Sequence, residues 1–473
     1  MTVVDNGSDN ASGNGSDLAA ALRAVVGHDA VVSDPDVWAE YAVDWTGRWS
    51  GIPAAVVLPS DVAQTVAVIG VCRRFNVPWV PQGGNTGLVG GSVPVGGEVV
   101  VSTCRMRTIG EVDCDSMQVS VGAGVTLTEL AAAVAPHGLL YGIDFGARDR
   151  ATIGGTIATN AGGNAVLHYG MTRAQLVGIE AVLPDGSVIH RMQGLVKDNT
   201  GLNLAQLMCG SEGTLGVITS ARLQLRPALS PRVTVALGVA SVSDALDVLR
   251  HLRGVSAMVG CELMRGHDIS ALCERRAWPI PAPWAAPWAM LVEAVGPGAF
   301  DELASAVERS AGAIVGEPAV AVGTAARDDW WRVRDAQGEI ASLFGPAVKL
   351  DVSIPLLRLT EFVDGLDDAI GAAAPVGRTV VFGHLGDGNL HVNIAASVER
   401  FEAIEACVLE RVLDCGGVVS AEHGIGRLKR GWLIRDRGGP DVEVMRSIKR
   451  AIDPEGLANP GVLYPASHDH AVT

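Results

Sequence analysis

The sequence predicts an α+β protein, and three observations lead there. The first is size: at roughly 100–200 residues per domain, 473 residues make two or three domains, each with its own core. The second is a region of short β-rich runs separated by glycine-rich loops, residues 54–227. The third is residues 231–400, where strands alternate with amphipathic helices between Pro and Gly punctuation, read as an antiparallel or mixed sheet with helices on one face. With 48% apolar and 19% charged residues, the chain is not disordered as a whole.

Taken in order, MTVVDNGSDNASGNGSD is acidic and rich in Gly, Ser and Asn, and residues 1–16 are expected to be a disordered tail. Ser16 is positioned to cap the helix LAAALRAVV. Residues 54–58 read as a strand, Pro59-Ser60-Asp61 opens a helix to about Asn76, and residues 77–80 form a second strand. Thr126 or Thr128 caps a helix that stops at Gly138. Strands are expected at LVGIEAVLP, SVIHRM and GVITSARLQLRP, the last ending at Pro227. PALSPRV then reads as a linker. The domain boundaries expected are 17–228, 229–430 and a return segment 431–473 that ends extended.

Composition excludes several functions. Lys and Arg number 36 against 52 Asp and Glu, a net charge of −16, so a nucleic-acid backbone would be repelled. No window of about 18 apolar residues marks a membrane span, and the N-terminus lacks the basic start and apolar stretch of a signal peptide. The eight Cys are scattered without a C-x-x-C pair, which offers no iron–sulfur or zinc-ribbon set and suits reduced thiols in a cytoplasmic protein. Only four of the basic residues are Lys: Lys197, Lys349, Lys429 and Lys449.

The run PQGGNTGLVGGSVP, residues 81–94, holds five glycines. Without Cβ atoms, successive N–H groups can turn into one concavity and bind an anion; a mobile surface loop is the other reading. Neither a Walker A lysine nor a Gly-x-Gly-x-x-Gly fingerprint is present. A second glycine-rich run, TIGGTIATNAGG at 152–163, suggests one extended ligand, such as a pyrophosphate with two flat ends, lying between the two.

In TVVFGHLGDGNLHVNI, Asp387-Gly388 is a preferred two-residue hairpin turn. That register would set His384 directly opposite His391, with Asn393 pointing the same way. The two imidazoles are then either stacked histidines or ligands to a common ion. Glu422 and His423, in AEHGIG, offer a carboxylate and a base together, or are a surface pair. In VKLDVSIP, Lys349, Asp351 and Ser353 share one face. A helix over RDDWWRVRDAQGEIASLFG would align Trp331, Arg334, Gly338 and Ala341, with Arg334 either solvated or forked onto a carboxylate.

These residues carry a resemblance. GGNTGLVGGSVPV (83–95), IGGTIATNAGG (153–163), KDNTGLNL (197–204), GSEGTLGVIT (210–219), KLDVSIP (349–355), GHLGDGNLH (383–391), AEHGIG (421–426) and NPGVLYP (459–465) occur in the order found in the FAD-linked oxidoreductases of the vanillyl-alcohol-oxidase fold group. Over residues 40–465 the chain resembles the D-2-hydroxyacid dehydrogenases of that group, the D-2-hydroxyglutarate enzymes most of all. The resemblance implies a two-part, PCMH-type FAD-binding domain (17–228), an α+β substrate or cap domain (229–430) and a C-terminal segment returning to the first.

It also implies roles. FAD would be held by Pro81, Gly83, Gly84, Asn85, Thr86, Gly87, Leu88, Ser92, Gly146, Gly154, Gly155, Thr159, Asn160, Gly162, Gly163, Glu212, Gly216, Ile218 and Asn459. No His lies in residues 81–94 to link flavin covalently, so FAD is expected to be non-covalent. A divalent metal, with zinc the expected ion, falls to His384, His391 and Glu422; His423 is the catalytic base; Arg334, Lys349 and Asn393 bind substrate. The reaction implied is oxidation of a D-2-hydroxy acid, D-2-hydroxyglutarate first, to the 2-oxo acid. Electrons would pass to a separate acceptor such as electron-transfer flavoprotein or a quinone-linked carrier, and a homodimer is left open. Gly338 stands where the hydroxyglutarate enzymes carry a hydroxyl residue, which brings D-lactate or glycolate into view as alternative substrates. A non-redox flavoprotein of the alkyl-glycerone-phosphate synthase type is the more distant alternative.

Overall fold

The computed structural model describes residues 9–32 and 34–464. The chain divides into two compact units: residues 1–161, 171–227 and 423–473 form the first, and residues 162–170 and 228–422 the second.

The first unit opens with a helix, Asp9–Val26. Of the expected tail, residues 1–8 lie outside the described residues, and 9–16 are helical. Once the alanine-rich run has nucleated a helix, extending it back through polar residues is cheaper than starting it. Two four-stranded sheets follow. One orders Val31–Val32, Ala55–Val57, Val99–Ser102 and Trp79–Gln82; the other orders Gln118–Gly122, Val217–Gln224, Leu176–Val182 and Val188–Arg191. Asp61 caps the helix Val62–Phe75, and Thr126 with Glu129 makes a full capping box for Leu127–Val134. The second glycine-rich run is not all loop: Thr152 caps a short helix, Ile153–Thr159, which ends on Asn160 in the left-handed region. The C-terminal segment returns to this unit, with Asn459 N–H donating to Trp79 O at 2.8 Å.

The second unit is a seven-stranded antiparallel sheet ordered Ala319–Val320, Arg232–Val239, Trp288–Val295, Met258–Arg265, Arg378–His384, Asn389–Ala395, Ala347–Ser353. Its strands are buried almost residue by residue, so both faces are covered, where the sequence suggested one. Ala236, Met264, Leu291, Val380 and Phe382 on one face pack with Ile269, Leu272 and Val333 of the helices Gly266–Arg276 and Gly323–Asp335. The other face carries Val235, Leu237, Leu263, Val292, Val381, Val392 and Leu350, all apolar and buried.

The expected single helix through Arg334 and Gly338 is broken. It ends at Asp335, and a short helix, Gln337–Ile340, follows. The Gln337 side chain donates to Val333 O at 3.2 Å, taking the carbonyl that its own backbone N–H would otherwise use.

Candidate functional site

In the second unit, the hairpin between Arg378–His384 and Asn389–Ala395 differs from the expected two-residue turn. The register pairs His384 with Asn389 and Phe382 with His391, leaving residues 385–388 as a four-residue loop. Gly388 N–H donates to His384 O at 3.1 Å, and the Asp387 carboxylate accepts from Asn389 N–H at 3.1 Å, which fixes the longer loop. The histidines are therefore diagonal, not opposite. Because Phe382 and His384 are two apart on one strand, both imidazoles still share a face, with ring centroids 5.6 Å apart.

That face collects polar groups inside the fold. His384, His391 and Glu422 each offer a ligand atom, and all lie within 4.8 Å of one another. Glu422 Oε1 accepts from Gly163 N–H at 2.8 Å, and a Cβ on Gly162 would stand 2.3 Å from the same oxygen. Gly162 and Gly163, expected at the cofactor, thus make room for and hold this carboxylate. Burial pushes the Glu422 carboxyl up; His384 draws it down, and the nearby Asp351 carboxylate pushes it up further. Two imidazoles and a desolvated carboxylate crowded by another negative charge are a donor set that a divalent cation would relieve. The residues fit the metal.

Sequence reasoning missed Glu262. It pairs across the strands with His384, and its carboxylate lies 2.8 Å from His384 Nδ1 and accepts from Arg334 Nε at 2.7 Å. Burial alone would raise Glu262; Arg334 and His384 outweigh it and hold it below the usual carboxylate range. For His384, burial lowers the imidazole, but Glu262 reverses that and leaves it raised. Arg334 is buried beside both, its Nη2 3.1 Å from His384 Nε2, so the guanidinium expected to clamp substrate is also tied to Glu262 and, at 3.4 Å, to Asp335. Strand alternation could have flagged Glu262 in VGCELM as a carboxylate among buried apolar residues. Only the sheet order shows that it meets His384.

Lys349 and Asn393 are register partners on the same face, a strand pairing that the alternation within each strand does not predict. Burial lowers the Lys349 pKa, opposed by the charge of Glu339. Asp351, two residues on, accepts from Asn389 Nδ2 at 2.8 Å and from the N–H groups of Ala421 and Glu422 at 3.1 and 2.7 Å. A Cβ on Gly338 would meet nothing within 4 Å.

In the first unit, the N–H groups of Gly84 to Leu88 donate to no acceptor among the described residues. A run of consecutive N–H groups without a protein acceptor suits a pyrophosphate, so the residues fit FAD. The loop is rigidly placed. Asn85, in the left-handed region, donates to Glu40 O and Val43 O and accepts from Ser92 Oγ. A Cβ on Gly84 would stand 1.7 Å from Arg150 O, and one on Gly83 2.2 Å from Thr152 Oγ1. Pro81 leads into the loop, and Thr86 lies in the middle of the free N–H run. Gly154 and Gly155 open the short helix, Thr159 closes it, and Asn160 Oδ1 accepts from Arg173 N–H. Gly216 and Ile218 lie at the start of Val217–Gln224, whereas Gly146 is in an exposed loop. Asn459 donates to Gly91 O and Glu212 O, and its own carbonyl oxygen is buried without a partner. Glu212 accepts from Ile425 and Gly426 N–H at 2.8 Å each, so it anchors the loop just after His423. His423 belongs to this unit, one peptide bond beyond Glu422.

A glycine-rich loop of free N–H groups in one unit and a histidine–carboxylate sheet face in the other suit a flavin-dependent oxidoreductase, and the family models place the chain in that class. The chain matches the family models "FAD binding domain" over residues 53–191 and "FAD linked oxidases, C-terminal domain" over 229–463. It is 35% identical to D-2-hydroxyglutarate dehydrogenase, mitochondrial, of Bos taurus, over 95% of this chain and 83% of that protein. It is 31% identical to D-2-hydroxyglutarate dehydrogenase of Stutzerimonas stutzeri (strain A1501), over 94% of this chain and 98% of the relative. Its fold is that of p-cresol methylhydroxylase, with a TM-score of 0.78 at 16% identity, over 97% and 98% of the two chains. The chain belongs to the family of FAD-linked oxidoreductases that includes the D-2-hydroxyglutarate dehydrogenases, and it has their PCMH-type α+β fold. No helix among the described residues is long and apolar enough to cross a membrane.

Proposed function

We propose that the chain oxidises a D-2-hydroxy acid, D-2-hydroxyglutarate first, to the 2-oxo acid and passes the electrons to a separate acceptor such as electron-transfer flavoprotein or a quinone-linked carrier. The observation that carries this is the His384–His391–Glu422 donor set, His384 buried and the other two half-buried, on the same sheet face as Lys349 and Asn393. The relatives' names supply the substrate. When bound, FAD supplies the two-electron acceptor, and a divalent cation, zinc the expected one, supplies Lewis acidity that lowers the pKa of a 2-hydroxyl. FAD binding is assigned to the Gly84–Leu88 arc and is non-covalent; the metal falls to His384, His391 and Glu422.

The chain's own residues do the rest. Arg334 and Lys349 bind the substrate carboxylate, with Asn393 lining the same pocket, and so orient the C2 carbon. His423, neutral, takes the hydroxyl proton. The location proposed is cytoplasmic; eight unpaired thiols suit a reducing compartment, and a relative is named mitochondrial.

A second reading, a shorter acid such as D-lactate or glycolate, is favoured by Gly338, which offers no side chain to a distal carboxylate. Anaerobic mixing with D-2-hydroxyglutarate, D-lactate, D-malate and glycolate, reading loss of flavin absorbance, decides. D-2-hydroxyglutarate is expected to reduce the flavin fastest. A tenfold preference for D-lactate would overturn the substrate, and no reduction by any acid would favour a non-redox flavoprotein.

A further inference from the structure

Each histidine of the hairpin faces a carboxylate on the strand next to it. Glu262 is the register partner of His384, and Asp351 that of His391. The two acids come from the strands on either side of the hairpin, Met258–Arg265 and Ala347–Ser353. Both are buried, at 1% and 0% exposure, where a carboxylate is costly unless its charge is used.

Their bonds point to a use. Glu262 Oε1 is 2.8 Å from His384 Nδ1, which makes Nδ1 the donor and leaves Nε2 as the acceptor, with Arg334 Nη2 3.1 Å from it. His384 Nε2 is the atom that faces Glu422, 4.0 Å from Oε2. Asp351 Oδ1 lies 3.7 Å from His391 Nδ1, an ion-pair distance beyond hydrogen-bond range, while it holds Asn389 Nδ2 at 2.8 Å. Asp351 Oδ2 meanwhile takes the N–H groups of Ala421 and Glu422, so one carboxylate sets both an imidazole and the backbone that carries Glu422.

We propose that Glu262 and Asp351 are paired positioning residues: Glu262 fixes the ring of His384 by a hydrogen bond, and Asp351, at ion-pair distance from His391, fixes the backbone of Glu422, so that His384, His391 and Glu422 converge on one divalent cation. Carboxylates behind ligating histidines set ring orientation and donor strength, and removing one costs about tenfold to a hundredfold in metal affinity. The inference rests on the reading of these three residues as metal ligands.

Equilibrium dialysis of the FAD-loaded protein against buffered free zinc, with bound metal counted by mass spectrometry and chains by flavin absorbance, tests it. Wild type is expected to hold one ion per chain, and Glu262→Ala and Asp351→Ala each to bind about tenfold to a hundredfold more weakly. Glu262→Gln is the discriminating variant. Its amide oxygen still accepts from Nδ1–H, but it cannot ion-pair with Arg334. It is expected to recover most of the affinity, and it also serves if the alanine variant fails to retain FAD. Glu262→Gln as weak as Glu262→Ala would assign Glu262 to Arg334 pairing alone and overturn its positioning role. Alanine variants within twofold of a metal-binding wild type would overturn the proposal but leave the metal. A wild type that binds no metal would overturn the underlying reading and the proposal with it.

Discussion

At the scale of single residues, burial sets two titrations that solution experiments can read. Lys349 is an ammonium whose pKa is lowered by burial. It therefore loses its proton below the ordinary lysine value of about 10.4, and with it the attraction for an anionic substrate. Expected are an alkaline fall in kcat/KM and its removal in Lys349→Arg, whose guanidinium stays charged. Lys349→Ala should lower kcat/KM about tenfold to a hundredfold, the worth of one charge-assisted hydrogen bond. An alkaline limb unchanged in the arginine variant would take Lys349 out of substrate binding. Glu212 runs the other way: burial raises its carboxyl to about 7 despite the two N–H groups it accepts from and the charge of Lys429. Between the ordinary glutamate value and about 7 the folded chain holds a proton that the unfolded chain has lost. The stabilisation from that proton is full below the window and lost as pH rises through it, by roughly 3 kcal/mol. Unfolding midpoints measured from pH 4.5 to 8 should decline across this range, and Glu212→Gln should flatten the decline.

At the scale of elements, the hairpin shows what could be read from the residues and what could not. Period-2 geometry puts His391 with Asn393 on one strand and Lys349 with Asp351 on another, which any local reading captures; that the two strands pair and join these sets on one face does not follow from it. The loop length does not, because Asp387 takes Asn389 N–H and Gly388 bonds back to His384 O, a local competition that favours four residues over two. A shift of one residue would have sent a histidine to the apolar face; the shift found keeps both imidazoles together. Glu262 was invisible for another reason. Its strand lies beside Arg378–His384 across 122 residues of chain, and sheet order is set by packing, not by local pattern. The unbonded N–H groups at Gly84–Leu88 fit the anion-binding reading of the glycine spacing, whereas the helix inside TIGGTIATN is hidden by its own glycines. Gly388 has φ +79°, and a Cβ there would stand 2.2 Å from Ile354 O. Gly388→Ala should cost at least about 1–2 kcal/mol from the left-handed backbone alone, read as a lower denaturation midpoint, with more from the displaced Ile354 carbonyl. A midpoint unchanged from wild type would mean that this loop is not the one holding the hairpin.

At the scale of the whole molecule, the two ligand sites belong to separately cored units, and that makes their stabilities separable. The N–H arc, the short helix after Thr152 and the Glu212 turn all lie in the first unit; the histidine hairpin, Asp351 and Glu422 all lie in the second. A ligand that binds only the folded state stabilises it by about 2.7 kcal/mol at a hundredfold excess over Kd, and the gain is felt by the segments that open when the ligand leaves. Amide hydrogen exchange on protein stripped of FAD should therefore quicken in peptides covering residues 83–92, 152–160 and 210–218. Protein stripped of metal by a chelator, with FAD retained, should instead quicken at 384–391 and around Asp351 and Glu422. Denaturing the holoprotein should release all its flavin into solution, as expected where no histidine lies in the glycine-rich arc to bond it. Quickening in the hairpin on loss of FAD alone, with none on loss of metal, would place the stabilising ligand of that face elsewhere. Flavin that stays with the precipitated chain would require a covalent bond from some other residue.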